Sequence, residues 1–363
     1  MRFGLVTSSY PTLDIVNSGI LAEKYSFDSL WIPDHFTDLY ATGDKVDPWT
    51  VFATIGARTK MIKFGTVVTD TQRTHPARTA HIVATLDELT RGRAMLGIGA
   101  GEAMNTIPYG LRFESVEERV QRLREAIQVI KLLWASTRDR RVSFEGRFYK
   151  LDHAVMDQKG VAVPAPPIYV GAMGTHRTLK LVGELGDGWI PWTNSVETFK
   201  RRHQEIEDAA KASGRNVDSI DMANVTSVAL TEDSSLQRNA IDAMKTELLV
   251  TLHRNALKEM GFEVNPPPGF DYTYQRVIAS EAVGDRASEI AKDMPDELVR
   301  KFLIVGNANE VTEGLARFIK AGVQHPVIKD VVGMSVLVKL SETEKTLQAF
   351  GKKIMPSLRA SFG

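Results

Sequence analysis

Short apolar runs and amphipathic stretches take turns along this chain, in about eight strand-then-helix units. No other feature limits the possible folds as sharply. Strands are expected at 2–6, 29–32, 63–68, 93–98, 167–171, 188–191 and 220–229, with further apolar runs at 302–305 and 326–332. Helices are expected at 13–25, 48–57, 76–89, 178–185, 196–210, 308–321 and 341–358. Pro48 and Pro76 suit first helical turns, where a missing N–H leaves no bond unmade. The clearest helix follows Ser115, which forms a capping box with Glu118. Its apolar stripe is Val116, Val120, Leu123, Ile127, Ile130 and Trp134. Residues 141–155 read as a β-hairpin. Repeats of this kind across 363 residues predict an α/β fold, a (β/α)8 TIM barrel over 1–363, rather than an open sheet. The alternation fails from about 231 to 301, a stretch that reads as a helical insertion packed on the barrel.

Charge is balanced, 45 basic against 45 acidic residues, so no nucleic-acid or anionic-membrane partner is expected. The absence of cysteine excludes disulfides, thiolate metal sites and cysteine nucleophiles, and suits a cytoplasmic protein. Residues 1–6 read directly as a strand, so no signal peptide is expected, and no apolar run is long enough to span a bilayer. His-Glu-x-x-His, a phosphate-loop Gly-Lys-Ser/Thr ending and a Gly-x-Ser-x-Gly elbow are absent, so no metal is expected.

Three successive strand ends carry polar residues. Asp34-His35-Phe36 follows 29–32, and Val67-Val68-Thr69-Asp70 ends the third strand. The fourth runs into Gly97-Ile98-Gly99-Ala100-Gly101-Glu102-Ala103-Met104-Asn105. Alternating glycines let a backbone turn sharply and admit a flat ligand, though tight turns that bind nothing use them too. Barrel enzymes keep their chemistry at such strand ends, so one shared site is expected. A histidine there can exchange protons near neutral pH, and a typical gain from such placement is about 10²–10⁴-fold in rate. Other readings are a packed loop histidine at His35 and, at Glu102, an acid that only favours a helix dipole.

These segments resemble the bacterial-luciferase-like superfamily and, within it, the branch that uses the deazaflavin coenzyme F420. The resemblance rests on Trp31-Ile32-Pro33-Asp34-His35-Phe36, on Thr85-Leu86-Asp87-Glu88-Leu89-Thr90-Arg91-Gly92-Arg93, on the glycine run through Glu102, and on Asp187-Gly188-Trp189. It extends to F420-dependent alcohol and sugar-6-phosphate dehydrogenases, phthiodiolone ketoreductase and methylenetetrahydromethanopterin reductase. The resemblance implies hydride transfer between F420 and an alcohol or carbonyl substrate, with His35 as proton donor and acceptor and Glu102 supporting it. It implies that Asp34, Thr69 and Asn105 meet the deazaflavin, beside a non-proline cis peptide at Val67–Val68. Gly171, Ala172, Met173 and Gly174 precede a helix and are expected to hold phosphate, with Arg177 and less directly His176, Lys180 and Arg73 adding charge. A solvated helix face is the other reading of 176, 177 and 180. Leu39 stands where relatives carry a substrate-stacking tryptophan, and Trp49 is the candidate replacement in the pocket. The resemblance also implies a homodimer. The alternatives are an FMN-dependent monooxygenase, a methylene-pterin reductase and a barrel that only binds flavin.

Overall fold

The computed structural model describes all residues except 8–10, 40–43, 271–272, 274–275 and 334–339. In chain order the first elements are β1 (Gly4–Val6), α1 (Thr12–Lys24), β2 (Ser29–Ile32), α2 (Pro48–Gly56), β3 (Lys63–Thr66), β4 (Thr69–Asp70), α3 (Pro76–Thr90) and β5 (Ala94–Gly99). Then come α4 (Val116–Ala135), β6 (Val142–Glu145), β7 (Lys150–Ala154), β8 (Ile168–Gly171), α5 (His176–Leu185), β9 (Gly188–Trp189), α6 (Val196–Ala212) and β10 (Asp221–Leu230). The remainder holds α7 (Ser234–Thr251), α8 (Arg254–Glu259), α9 (Glu281–Ala291), α10 (Asp296–Val299), β11 (Leu303–Gly306), α11 (Ala308–Lys320), β12 (His325–Asp330), α12 (Leu340–Ala349) and α13 (Met355–Phe362).

Strands β1, β2, β3, β5, β8, β9, β10 and β12 pair in that order, and β12 returns to β1. The ring is parallel throughout and closed, a luciferase-like (β/α)8 barrel. Closure leaves the ring itself without an open edge. β11 lies outside the ring, pairing Leu303 with Ser227 of β10. Inside the ring Val6, Trp31, Met95, Tyr169, Ile190 and Val327 fill the lumen. Trp31 is wholly buried there, and glycines make its room: a Cβ at Gly65 would lie 2.3 Å from the indole. A larger core lies between strands and outer helices, where full burial of each large apolar side chain contributes roughly 1.5–3 kcal/mol.

Several expected boundaries shift. The strand expected at 63–68 stops at Thr66, because Val67–Val68 is a cis peptide and turns the chain before β4 resumes beside β5. The run at 188–191 keeps only two strand residues. The helix expected over 341–358 starts at Leu340 and is widened by a turn of π-type bonding at Phe350–Ile354. Residues 231–301 form α7 to α10, which bury a second apolar cluster that includes Leu248, Leu257, Ala287, Leu298 and Phe302. Leu39 and Met104, from the loops after β2 and β5, pack into that cluster. Among the described residues no helix is long and apolar enough to cross a membrane.

Candidate active site

A cavity of about 310 Å³ opens at the carboxyl ends of the strands. The loop after β2 brings Asp34, His35 and Leu39 to it, Val67 and Val68 stand at the end of β3, and the loop after β5 brings Glu102 and Asn105. Gly171 and Met173 complete the wall at β8. The three strand ends singled out in the sequence therefore meet in one place.

His35 Nε2 lies 3.6 Å from Glu102 Oε2. Burial pushes the imidazole down to about 4, against the opposing pull of Asp38. Burial pushes the Glu102 carboxyl up to about 8, and the charges of Asp38 and Asp70 add to the rise. Burial thus disfavours the charged form of both groups, lowering the pKa of one and raising that of the other. Enclosure removes the water that would solvate an imidazolium, which moves His35 away from the value of a free imidazole.

The rest of the constellation fixes these two. Arg73 lies 3.2 Å from Asp34 Oδ1, donates to the Asp34 carbonyl at 2.5 Å, pairs with Asp70 and stacks over Phe36 at 4.7 Å. Thr69 Oγ1 donates to Asp34, so Thr69 acts on the site through that carboxylate. Burial raises the Asp34 pKa despite the Arg73 charge. Asn105 Oδ1 accepts from Phe36 N–H at 2.7 Å, which ties the β2 and β5 loops together. Asn105 Nδ2 and Glu102 Oε2 are buried and make no short hydrogen bond, although the Asn105 side chain lies near enough to Glu102 to pull its pKa down. Buried polar atoms left unpaired are costly, so their persistence here points to a ligand that completes them.

The glycine run also has a packing task. A Cβ at Gly97 would meet Thr66 O at 1.7 Å, and one at Gly99 would meet Val68 Cγ2 at 2.6 Å. Gly97 makes room for the β3 backbone and Gly99 for Val68, while Gly99, Ala100 and Gly101 also line the cavity. Gly101 has φ +81°, a left-handed backbone that suits glycine.

Other expected residues lie elsewhere. Trp49 packs edge-on against Phe52, centroids 6.1 Å apart, because the period of α2 turns it toward the core and away from the cavity. Arg177 is exposed and sits 3.5 Å from Glu117; His176 faces Glu205 and Lys180 faces Glu184. All three belong to a solvated face. Ala172 is wholly buried, its carbonyl taking the Trp189 N–H, and Gly174 backs onto Arg202.

The cavity wall also holds Asp38, Lys45, Arg119, Trp192, Glu247 and Lys329, which sequence reasoning did not assign. Two had a readable signal. Arg119 sits on the apolar stripe of α4, three residues after Val116, and Lys329 interrupts an apolar strand. Arg119 is 3% exposed, donates to the Glu114 and Gly101 carbonyls, and makes no ion pair among the described residues. Glu102 and Glu114 act on this guanidinium only from beyond ion-pair range, so its remaining donors suit an anionic ligand.

The model of the family described as luciferase-like monooxygenase matches residues 4–325. The chain belongs to this family. A luciferase-like relative from Microbacterium testaceum, an F420-dependent glucose-6-phosphate dehydrogenase, is 30% identical over 100% of this chain and 98% of its own length. A 5,10-methylenetetrahydromethanopterin reductase from Archaeoglobus fulgidus is 27% identical over 93% of this chain and 94% of its own. In fold, the chain matches an F420-dependent secondary alcohol dehydrogenase solved with an F420–acetone adduct, with a TM-score of 0.79, 24% identity and 99% of both chains covered. Within the luciferase-like family, then, the chain groups with F420-dependent oxidoreductases.

Proposed function

We propose that this protein is an F420-dependent oxidoreductase that interconverts an alcohol and its carbonyl, with His35 and Glu102 carrying the proton. The carrying observation is the contact of His35 Nε2 with Glu102 Oε2 at 3.6 Å, enclosed in the cavity beyond the carboxyl ends of β2 and β5.

The residues present fit the coenzyme. Asn105 Nδ2 and Glu102 Oε2 offer polar contacts to a heterocycle edge, and Asp34 stands beside them. Val67 and Val68 give an apolar surface for a ring face. At the start of α5, Gly171, Met173, Thr175 and Thr178 line the cavity, and a helix N-terminus there, with the Arg119 guanidinium, suits a phosphodiester. Coenzyme F420, when bound, supplies the hydride acceptor or donor. The chain's own task is the proton. In carbonyl reduction Glu102 protonates His35 at Nε2 as the imidazole releases its Nδ1 proton to the carbonyl oxygen, and the resulting carboxylate feels the Arg73 charge. In alcohol oxidation the same path runs backwards, from the hydroxyl to an ionised Glu102. Such positioned acid–base groups contribute typically about 10²–10⁴-fold in rate.

Titrating the purified protein with F420 and, separately, with FMN tests the reading. Saturable F420 binding with reduction or oxidation of its absorbance by an alcohol–ketone pair is expected. Binding of FMN alone, with oxygen consumption, overturns it.

A further inference from the structure

One charged pair in the cavity wall has no part in the proton path. Lys329 lies in β12 and is 7% exposed. Its ammonium donates to Glu247 of α7, whose other carboxylate oxygen accepts the Trp192 indole N–H at 3.0 Å. The ammonium also stands 5.0 Å from the Trp192 ring centroid. All three side chains line the cavity. A buried ion pair is a poor fastener between a helix and a barrel, because apolar replacements of similar size are often as stable or more so. An ammonium carries three donors, and the carboxylate cannot use them all.

We propose that this pair is the substrate-recognition point: Lys329 donates to an oxygen of an uncharged alcohol or carbonyl compound, and Glu247 cancels the field that would otherwise draw in a phosphorylated one. The proposal rests on the oxidoreductase reading and names its substrate class. An anion brought to Lys329 meets the Glu247 carboxylate at nearly the same range, so attraction and repulsion largely offset each other. The other cations of the wall are committed or distant in role. Lys45 lies 3.1 Å from Asp38, and Arg119 stands with the α5 start, where the cofactor's own phosphate fits. An uncharged oxygen acceptor is not repelled, and gains a charge-assisted hydrogen bond.

Calorimetric titration with glucose 6-phosphate, on protein with and without F420, tests this. Wild type should bind the sugar phosphate weakly, and Glu247→Gln should tighten it at least about tenfold by uncovering the Lys329 charge. The double variant E247Q/K329M should lose that gain. An E247Q protein with wild-type F420 affinity and no gain overturns the proposal. If E247Q does not fold, wild type decides alone: dihydroxyacetone should be reduced in preference to its phosphate, and the opposite preference overturns the proposal. Failure to bind F420 would instead sink the oxidoreductase reading, while the titrations without F420 still decide the charge question.

Discussion

The two ends of this barrel each bury a histidine next to an acid, and they differ in almost everything else. At the amino end His325 Nε2 meets Ser29 Oγ at 2.8 Å and Nδ1 meets Asp221 Oδ2 at 3.1 Å. Tyr169 OH donates to the same Asp221 oxygen at 2.6 Å, and Arg2 lies 2.9 Å from the other. Burial would raise the Asp221 pKa, but these partners together hold it below the usual carboxylate range. At the carboxyl end Glu102 has no such company, burial wins, and its pKa rises. Ser29, His325 and Asp221 even follow the order of a hydrolytic triad. Yet Ser29 Oγ already accepts the Trp31 indole N–H at 2.8 Å, and none of the three lines the cavity. Each end sets a histidine beside an acid; the donors and positive charge gathered on that acid, and whether the cavity reaches it, separate a strut from a site.

The comparison can be broken most directly by His35→Ala. Turnover should fall about 10²–10⁴-fold while the F420 dissociation constant stays within a few-fold. Equal loss of both would make His35 a packing residue like its counterpart. His325→Ala should do the reverse. Loss of one of the Asp221 partners, with Tyr169 and Arg2 still in place, should cost about 1–3 kcal/mol in unfolding free energy, with turnover of the folded fraction little changed. Loss of turnover without loss of stability would mean that the amino end takes part in function.

Direction-dependent pH profiles sharpen the contrast further. Carbonyl reduction needs protonated Glu102 and should decline above a pKa near 8, whereas alcohol oxidation needs its carboxylate and should climb through the same value. Profiles of one sign in both directions would remove Glu102 from the proton path.

The smallest effect is on stability. The folded chain keeps on Glu102 a proton that the unfolded chain releases above pH about 4.5, so this group lowers stability as pH rises toward 8. His35 acts oppositely between about 4 and 6.5, where the unfolded chain takes up a proton that the buried imidazole refuses. The two offset each other up to about pH 6.5. Between there and pH 8 wild type should lose about 1–2 kcal/mol, from 1.36 kcal/mol per unit of differential titration. Urea unfolding of Glu102→Gln should show that loss gone; an unchanged decline would place its origin elsewhere.

Much of this was legible in the sequence for a physical reason: short-range order writes itself into periodicity. The alternation that sets the barrel, the capping box at Ser115 and the three polar strand tips are all local patterns. Trp49 misled because nearness along the chain to the β2 loop says nothing about which way α2 faces. The packing task of the glycines at 97 and 99 was not legible, because the groups they clear for, Thr66 and Val68, lie far upstream in the chain. Trp192, Glu247 and Lys329 come from three separated segments, and only the docking of the insertion brings them together.

Leu39 and Met104 anchor in the second apolar cluster, although each belongs to a loop that brings His35 or Glu102 to the cavity. The added helices are thus a clamp on the chemistry rather than an ornament. On warming, loosening of that clamp should abolish turnover while the surrounding staves still hold, and substitutions far out in the helical flap should be felt first as a slower enzyme.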